Sequence, residues 1–408
     1  MLQKEKLVHG LERAQEYFIY LLIFFTPISI AGIEISFTLA LFTFFIKKAL
    51  RPDFRFSKNL VSTLLFTFAY LNLLSVLTAW IFLGVYFKKS FIAFFFKWSE
   101  YFFIFLLIGD TFNKYRKIKN ALYVFLFGAL LVSFDGIYQF LSGIDFLRHR
   151  EVVIVAGKLY GLTASFQHYN DFGTYLAMLI AIAFSFLLLP GLKRLYMTLL
   201  SVLLLFSVIC LYFTFSRGSW LNFCVIMFVF LVLGTRKKII VFSSLAFVTI
   251  LLMLPEFRER WMFSFDPIRG SADRFFVWKI ASQIIRDFPW FGTGVGTFMD
   301  YFHIYYQHKT VQYAHNCFLQ IWAETGIFSL MVFLGFLVAL LSKGVVYFRR
   351  EKTVIAQGLL AGLCGFLVHS FFDTQFYSVQ MSVLFWSVAG LLSALVHNIA
   401  TRRETLKE

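Results

Sequence analysis

Apolar runs recur along the whole chain, separated mostly by short polar breaks, and one polar stretch near residue 300 is much longer than the rest. A helix of about 17–25 apolar residues crosses a hydrocarbon core of about 30 Å and bonds its own backbone groups there. The pattern predicts twelve spans, at about 17–31, 33–50, 60–84, 91–109, 119–142, 172–190, 195–215, 219–234, 237–255, 316–341, 353–372 and 378–399. The first two are parted only around Ala31-Gly32-Ile33. A helical hairpin and one kinked element are both open there, so the count has a margin of one or two. The expected fold is an all-α integral membrane protein, a single polytopic domain over residues 1–408.

Two connecting segments exceed hairpin length: 143–171, and the loop 256–315 between predicted helices 9 and 10. Within the second, Asp273 to Asp287 reads as a helix with Ser271 as its cap. Phe275, Trp278, Ile280, Ile284 and Ile285 give it a partial apolar stripe. Pro289 stops it, and Gly292, Gly294 and Gly296 make a flexible turn. Such a helix is expected on the membrane surface, with Trp278 and Trp290 near the interface.

Composition supports this reading. The chain is 60% hydrophobic and 21% aromatic, a balance no water-soluble globule tolerates. Its 57 Phe are expected mainly as lipid-facing bulk. The net charge of +16 suggests nucleic acid until its distribution is read. Most of the 38 Lys and Arg fall in alternate segments, among them Lys4, Lys6, Arg13, then Lys47, Lys48, Arg51, then Lys114, Arg116, Lys117, then Lys343, Arg349, Arg350. This is the positive-inside pattern. It puts both termini in the cytoplasm and both long segments outside, and it needs no nucleic-acid partner. The 256–315 loop balances its cations with acids and is nearly neutral, so individual arginines matter there more than net charge. The charged start, Met1 to Glu16, has no signal-peptide cleavage pattern. Cys210, Cys224, Cys317 and Cys364 fall in or at spans and read as small buried hydrophobes. They form no disulfide framework or metal spacing, and no cofactor is expected.

The candidate chemistry gathers at the outer rim. His315 stands where the loop meets a span, and a neutral imidazole there can take a proton from a hydroxyl. The bland alternative is a helix-start His followed by Asn316 as N-cap. Arg217, in Phe215-Ser-Arg-Gly-Ser219, is costly at the membrane edge unless paired, and its planar donors suit a phosphate. The alternative is an arginine snorkelling to headgroups. Arg274 is the second such candidate, with a local pair to Asp273 as its alternative. The run Gly292-Thr-Gly-Val-Gly296 lacks the strand and helix context of a nucleotide site and reads as a tight turn against the membrane. His303 and His308 have no third ligand in register. Asp135, within a span, marks function by default or bonds a neighbouring helix. His369 and Asp373, four apart, are expected on one helix face, either supporting an outer site or capping the helix. Asn170 and Asp171 precede a span, where helix capping is the plain alternative.

The ordered set resembles the O-antigen ligase and O-antigen polymerase superfamily. It comprises Ser216-Arg217-Gly218, Asp273-Arg274 with Trp278, Pro289 with Gly292, Gly294 and Phe298, and His315-Asn316 with Gly326; Gly161 to Tyr175, with Asn170, looks like that family's segment ahead of a span. The resemblance covers roughly residues 160–340. It implies a metal-independent, inverting glycosyltransferase of the bacterial inner membrane, working in lipopolysaccharide biosynthesis from the periplasmic side. A glycan on undecaprenyl diphosphate would be the donor, and lipid A–core or another hydroxyl the acceptor. Arg217 and Arg274 would bind the diphosphate and His315 would activate the acceptor. Ligase, polymerase and protein O-oligosaccharyltransferase differ in acceptor. One position, Ser329, departs from the ligase pattern of Gly, Thr or Tyr and bears on that choice. A transporter or flippase is the reading from another class, and it would want polar residues near mid-membrane.

Overall fold

The computed structural model describes residues 2–52, 59–234, 252–262, 272–307 and 313–404, with isolated positions between 237 and 249. Among these, eight helices are long and apolar enough to cross a membrane: Ile30–Leu50, Leu60–Ile81, Phe87–Thr111, Tyr115–Ser142, Tyr169–Leu187, Arg194–Phe213, Cys317–Glu351 and Val379–His397. Arg217–Leu233 and Val354–Ser370 are shorter apolar helices. The first expected span lies in a longer helix, Leu2–Phe25, whose charged first half interrupts its hydropathy. It packs on Ile30–Leu50 across a turn, with Ser29 capping the second helix. The hairpin reading therefore holds. The expected span 237–255 and the cap Ser271 lie largely or wholly outside the described residues.

Burial separates central from peripheral helices. The apolar stretch of Tyr169–Leu187 is 89% buried and that of Val379–His397 83%, against 28% for Arg194–Phe213. Helices cannot be driven together in lipid by apolar burial alone, so close backbone approach matters. Val354–Ser370 presents Gly358, Gly362 and Gly365 to its neighbours. A Cβ on these would sit 2.5 Å from Ser185, 2.3 Å from Met178 and 2.0 Å from Asn222. Small residues thus let this helix lie directly on Tyr169–Leu187 and Arg217–Leu233.

Phenylalanine does not serve only as lipid-facing bulk. Phe68, Phe333, Phe336 and Phe366 are fully buried, and with Phe102, Phe105, Phe376, Phe385 and Trp386 they form a network of edge-on and stacked rings. Phe42, Phe96 and Phe228 face outward. Cys210 and Cys317 are buried as expected, but Cys224 is exposed on the bundle surface.

The segment 143–171 is not helical before Tyr169, where the helix Tyr169–Leu187 begins. Val153–Ala156 and Leu159–Gly161 pair as a small antiparallel sheet, a feature absent from the all-α expectation. Asp135 sits two turns before the end of Tyr115–Ser142. It accepts the N–H groups of Phe146 (2.7 Å) and Leu147 (3.2 Å), so it anchors this segment and does not bond a neighbouring helix.

The 256–315 loop folds onto the bundle. Ala272–Asp287 is a helix, as its pattern predicts. Of its expected stripe, Ile280, Ile284 and Ile285, with Val277 and Ala281, are buried in one cluster with Phe298, Tyr301, Phe302 and Ala323, whereas Phe275 is exposed. The glycine turn is fixed by a break in the long helix Cys317–Glu351 at Gly326, where φ is 80° and ψ 173°. Ile327, the normal helical partner of Ala323, donates instead to the Pro289 carbonyl (2.9 Å). Thr293 and Gly294 fill the vacated places, donating to Ala323 (3.0 Å) and Glu324 (2.8 Å) carbonyls, and Ser75 adds a bond to the latter (2.6 Å). The turn is thus a set of replacement donors for a broken helix, as a backbone at membrane depth requires.

Glu324, 1% exposed, completes the joint. Its carboxylate accepts the N–H of Gly296 (2.9 Å) and of Phe298 (3.3 Å), the Gln320 amide (3.1 Å) and the Tyr377 hydroxyl (3.1 Å). Phe298 opens the helix Phe298–Tyr305, where an anion is favoured.

Gly326→Ala is expected to open this joint. The new Cβ would lie 2.0 Å from the Trp290 oxygen, and the left-handed backbone adds about 1–2 kcal/mol of strain. Thermal unfolding in detergent should drop by a few degrees, and amide exchange over residues 289–298 should accelerate. Unchanged melting and exchange would contradict the account.

Candidate functional site

Three helices begin at the same end of the bundle. Tyr169–Leu187 is capped by His168, whose Nδ1 accepts the Asn170 N–H (3.2 Å). Arg217–Leu233 is capped by Ser216, whose Oγ accepts the Ser219 N–H (3.3 Å). Cys317–Glu351 is capped by Asn316, whose Oδ1 accepts the N–H groups of Phe318 and Leu319, each at 3.0 Å. The partial positive charge of three helix N-termini converges there, which favours an anion.

Asp373 ties these beginnings together. Its Oδ2 accepts the Asn170 side-chain amide at 2.5 Å, and Asn170 Oδ1 accepts the Ser216 hydroxyl at 2.7 Å. Its Oδ1 accepts the Thr374 N–H (2.9 Å) and faces His315 Nδ1 at 3.4 Å. Cys317 also grips this turn, with Sγ 3.2 Å from the Asp373 carbonyl. Asn170 is therefore a bridge and not a cap, and Asp171 bonds Ser378 (2.7 Å). His369 and Asp373 do not share a helix face. The helix ends at Ser370, and the next turn closes by the Asp373 N–H on the His369 carbonyl (3.0 Å).

His369 is wholly enclosed. Its Nδ1 meets the Thr174 hydroxyl at 2.6 Å, and that hydroxyl donates to the Asn170 carbonyl (2.8 Å). Its Nε2 edge lies against Gly218, where a Cβ would approach to 2.3 Å. His369 thus packs the start of the Arg217 helix against that of Tyr169 and supports the site from behind.

His315 is held in a left-handed conformation (φ 50°) one residue before the cap, so its ring leaves the helix line. Its side chain is 43% exposed while that of Asp373 is 12% exposed. A ring whose Nδ1–H points at a carboxylate presents Nε2 as an acceptor, which is the geometry of a general base. Burial alone would push the Asp373 carboxyl up, but the hydrogen bond with His315 and the nearby His369 and Arg274 hold it well below the usual carboxylate range.

The cationic side has three members. Arg217 opens its helix, and Arg274 lies on Ala272–Asp287 beside Trp278, which donates to the Ala314 carbonyl at 3.0 Å and so pins that helix next to His315. The side chain of Asp273 lies outside the described residues. Arg260, on the helix Pro255–Met262, is buried, and its Nε donates to the Phe215 carbonyl at 2.9 Å. The three guanidinium groups are close enough to repel one another. Burial and the adjacent Arg274 push Arg260 down. Burial also lowers His168, with His315 and Arg274 adding to the shift against Asp373, so its ring is neutral at pH 7. With Nδ1 used as an acceptor, Nε2 carries the proton.

The structure thus unites Arg217, Arg274, His315, Asn316, Asn170, His369 and Asp373. Sequence reasoning missed His168, Tyr169 and Arg260, which carry no distinguishing spacing. It also missed Glu324, for which a signal existed: a carboxylate well inside an apolar helix.

Asp373 makes a pH prediction. Its folded carboxyl sits below an unfolded value of about 3.9, so its stabilisation is present at neutral pH and is lost as pH falls below about 4. The thermal midpoint of the wild type should therefore fall more steeply with acid than that of Asp373→Asn. Parallel curves would contradict the assigned contacts.

Residues 202–334 match the family model described as O-antigen ligase. Comparison with curated proteins finds no match. The matched stretch holds Arg217, Arg260, Arg274, His315 and Glu324, while Asn170 and Asp373 join from outside it. Residues 202–334 are thus similar to the O-antigen ligase family, within a chain whose described residues include eight helices long and apolar enough to cross a membrane.

Proposed function

We propose that this protein is a membrane glycosyltransferase that moves a glycan from undecaprenyl diphosphate to an acceptor hydroxyl, with lipid A–core as the acceptor. The observation that carries the reading is the pairing of an accessible His315, oriented by Asp373, with guanidinium groups gathered at the same helix starts. One half of such a site can take a proton while the other holds a leaving anion.

In this reading Arg217 and Arg274 clamp the diphosphate, supplying the charge neutralisation that a metal supplies elsewhere. His315 Nε2 accepts the proton as the acceptor oxygen attacks the anomeric carbon. Direct displacement inverts that carbon. Asp373 keeps the imidazole in its accepting tautomer. The site end of the bundle is taken as periplasmic, because the opposite end carries Lys47 and Lys48 on Asp110, with Lys117, Arg349 and Arg350 nearby in sequence to the helix ends. The lipid tail would enter sideways between helices. Ser329, the one departure from the ligase pattern, is buried and accepts the Asn72 amide at 3.4 Å.

Reconstitution with a glycan on undecaprenyl diphosphate tests the reading. His315→Ala should lower transfer by about 10²–10⁴-fold, and Arg217→Gln and Arg274→Gln should weaken donor binding. Full transfer by His315→Ala would refute the base assignment. Product on lipid A–core supports ligation, whereas growth on the carrier would make the protein a polymerase.

A further inference from the structure

At the end of the bundle opposite His315, three helices part around a cavity of about 400 Å³. They are the start of Leu60–Leu83, the last third of Cys317–Glu351 and the later part of Val379–Glu404. Along Cys317–Glu351, the lining residues Leu340, Lys343, Tyr347 and Arg350 recur at three- and four-residue spacing, so one face of that helix forms a wall. Val61 and Val396 line the cavity from the other two helices. Val346 lines it as well and is 47% exposed, so the cavity opens onto the surface of the bundle.

Lys343 is the unusual member of this wall. It interrupts an apolar run, with Leu340 and Leu341 before it and Val345, Val346, Tyr347 and Phe348 after it. It is half-buried and stands about 10 Å along the axis inside Arg350. A cation within an apolar span is costly unless it reaches water or meets an anion. Among the described residues, neither Lys343 nor Arg350 has an ion pair. Glu351 is the one acid in the lining, so two such cations stand against one carboxylate. A helix C-terminus favours cations in general, which accounts for Arg349 and Arg350 but not for a lysine two turns deeper or for the cavity beside it. An inorganic anion would need only the cations. The apolar side chains beside them suit a molecule with an anionic head and a hydrocarbon body.

We propose that this cavity holds an anionic phospholipid, with its phosphate between Lys343 and Arg350 and the upper part of its chains along Leu340, Val346 and Val396. The lipid is a resident of the leaflet at that end and not the glycan donor. Roughly 40 Å of helix separates Lys343 from His315, so the site is distinct from the one described above and stands apart from the glycosyl-transfer reading. A lipid there joins three helices at the end remote from Asp373.

The test is the thermal midpoint of the full-length protein in a neutral detergent, titrated with dioleoyl phosphatidylglycerol, with dioleoyl phosphatidylcholine or with inorganic phosphate. Phosphatidylglycerol should raise the midpoint saturably, and the other two should leave it unchanged. Lys343→Gln and Arg350→Gln should each raise the phosphatidylglycerol concentration at half-effect by about fivefold. Arg349→Gln, adjacent in sequence but outside the lining, should not alter it. Arg350 is exposed at the helix end, so its variant keeps the proposal testable should Lys343→Gln fail to fold. Val346→Trp, which fills the cavity from an exposed position, should abolish the saturable rise. The proposal is overturned if phosphatidylglycerol gives no saturable rise, or if phosphatidylcholine or inorganic phosphate stabilises as well. It is also overturned if the Gln variants at 343 and 350 titrate as wild type does, or if Arg349→Gln weakens the lipid as much as Arg350→Gln, which would mark a diffuse basic surface. Glycan transfer enters none of these readouts, so failure of the transferase reading is distinguishable from failure of this one.

Discussion

The Asp373 carboxylate is the contact on which the site geometry depends. One oxygen holds Asn170 at the start of Tyr169–Leu187, and through it Ser216 at the start of Arg217–Leu233. The other faces His315 at the start of Cys317–Glu351. Each helix alone would place its first residues independently, since a helix end is fixed only within its own turn. A single buried acceptor with donors from separate helices couples them. Burying that charge is tolerable because Asn170, Thr374 and His315 each direct a donor at it.

A second joint carries the outer loop. The break at Gly326 frees backbone carbonyls inside the bundle, and the Pro289–Thr297 turn satisfies them. Glu324 then bonds both the turn and Tyr377, four residues beyond Asp373. The loop bearing Arg274 and the turn bearing Asp373 are thus referred to one short stretch of helix. This explains how a loop can present a guanidinium group at a defined place: its position is set by backbone bonds and by one buried cluster around Ile284 and Phe302.

Much of this was legible in the chain. Spans announce themselves by length, and Arg217, Arg274 and His315 stood out because charged groups at a membrane rim are costly. The capping role of Asn316 followed from its place before an apolar run. The small sheet over 153–161 was not legible, because its strands are only three and four residues long. Asn170 read as a helix cap because its partner Asp373 is two hundred residues away, and no local pattern announces so distant a bond. Arg260 looked like one cation among many in a nearly neutral loop. Its meaning comes from a backbone carbonyl at Phe215 that only the fold brings near. The stripe of Ala272–Asp287 was legible, but sequence could not say whether protein or lipid covers it.

The structure of this protein bound to undecaprenyl diphosphate would test the central claim most directly. The account predicts the diphosphate within hydrogen-bond reach of Arg217 and Arg274, with His315 Nε2 facing an open approach beside it. A diphosphate bound elsewhere, or His315 turned away with Asp373 contacting the lipid, would contradict it.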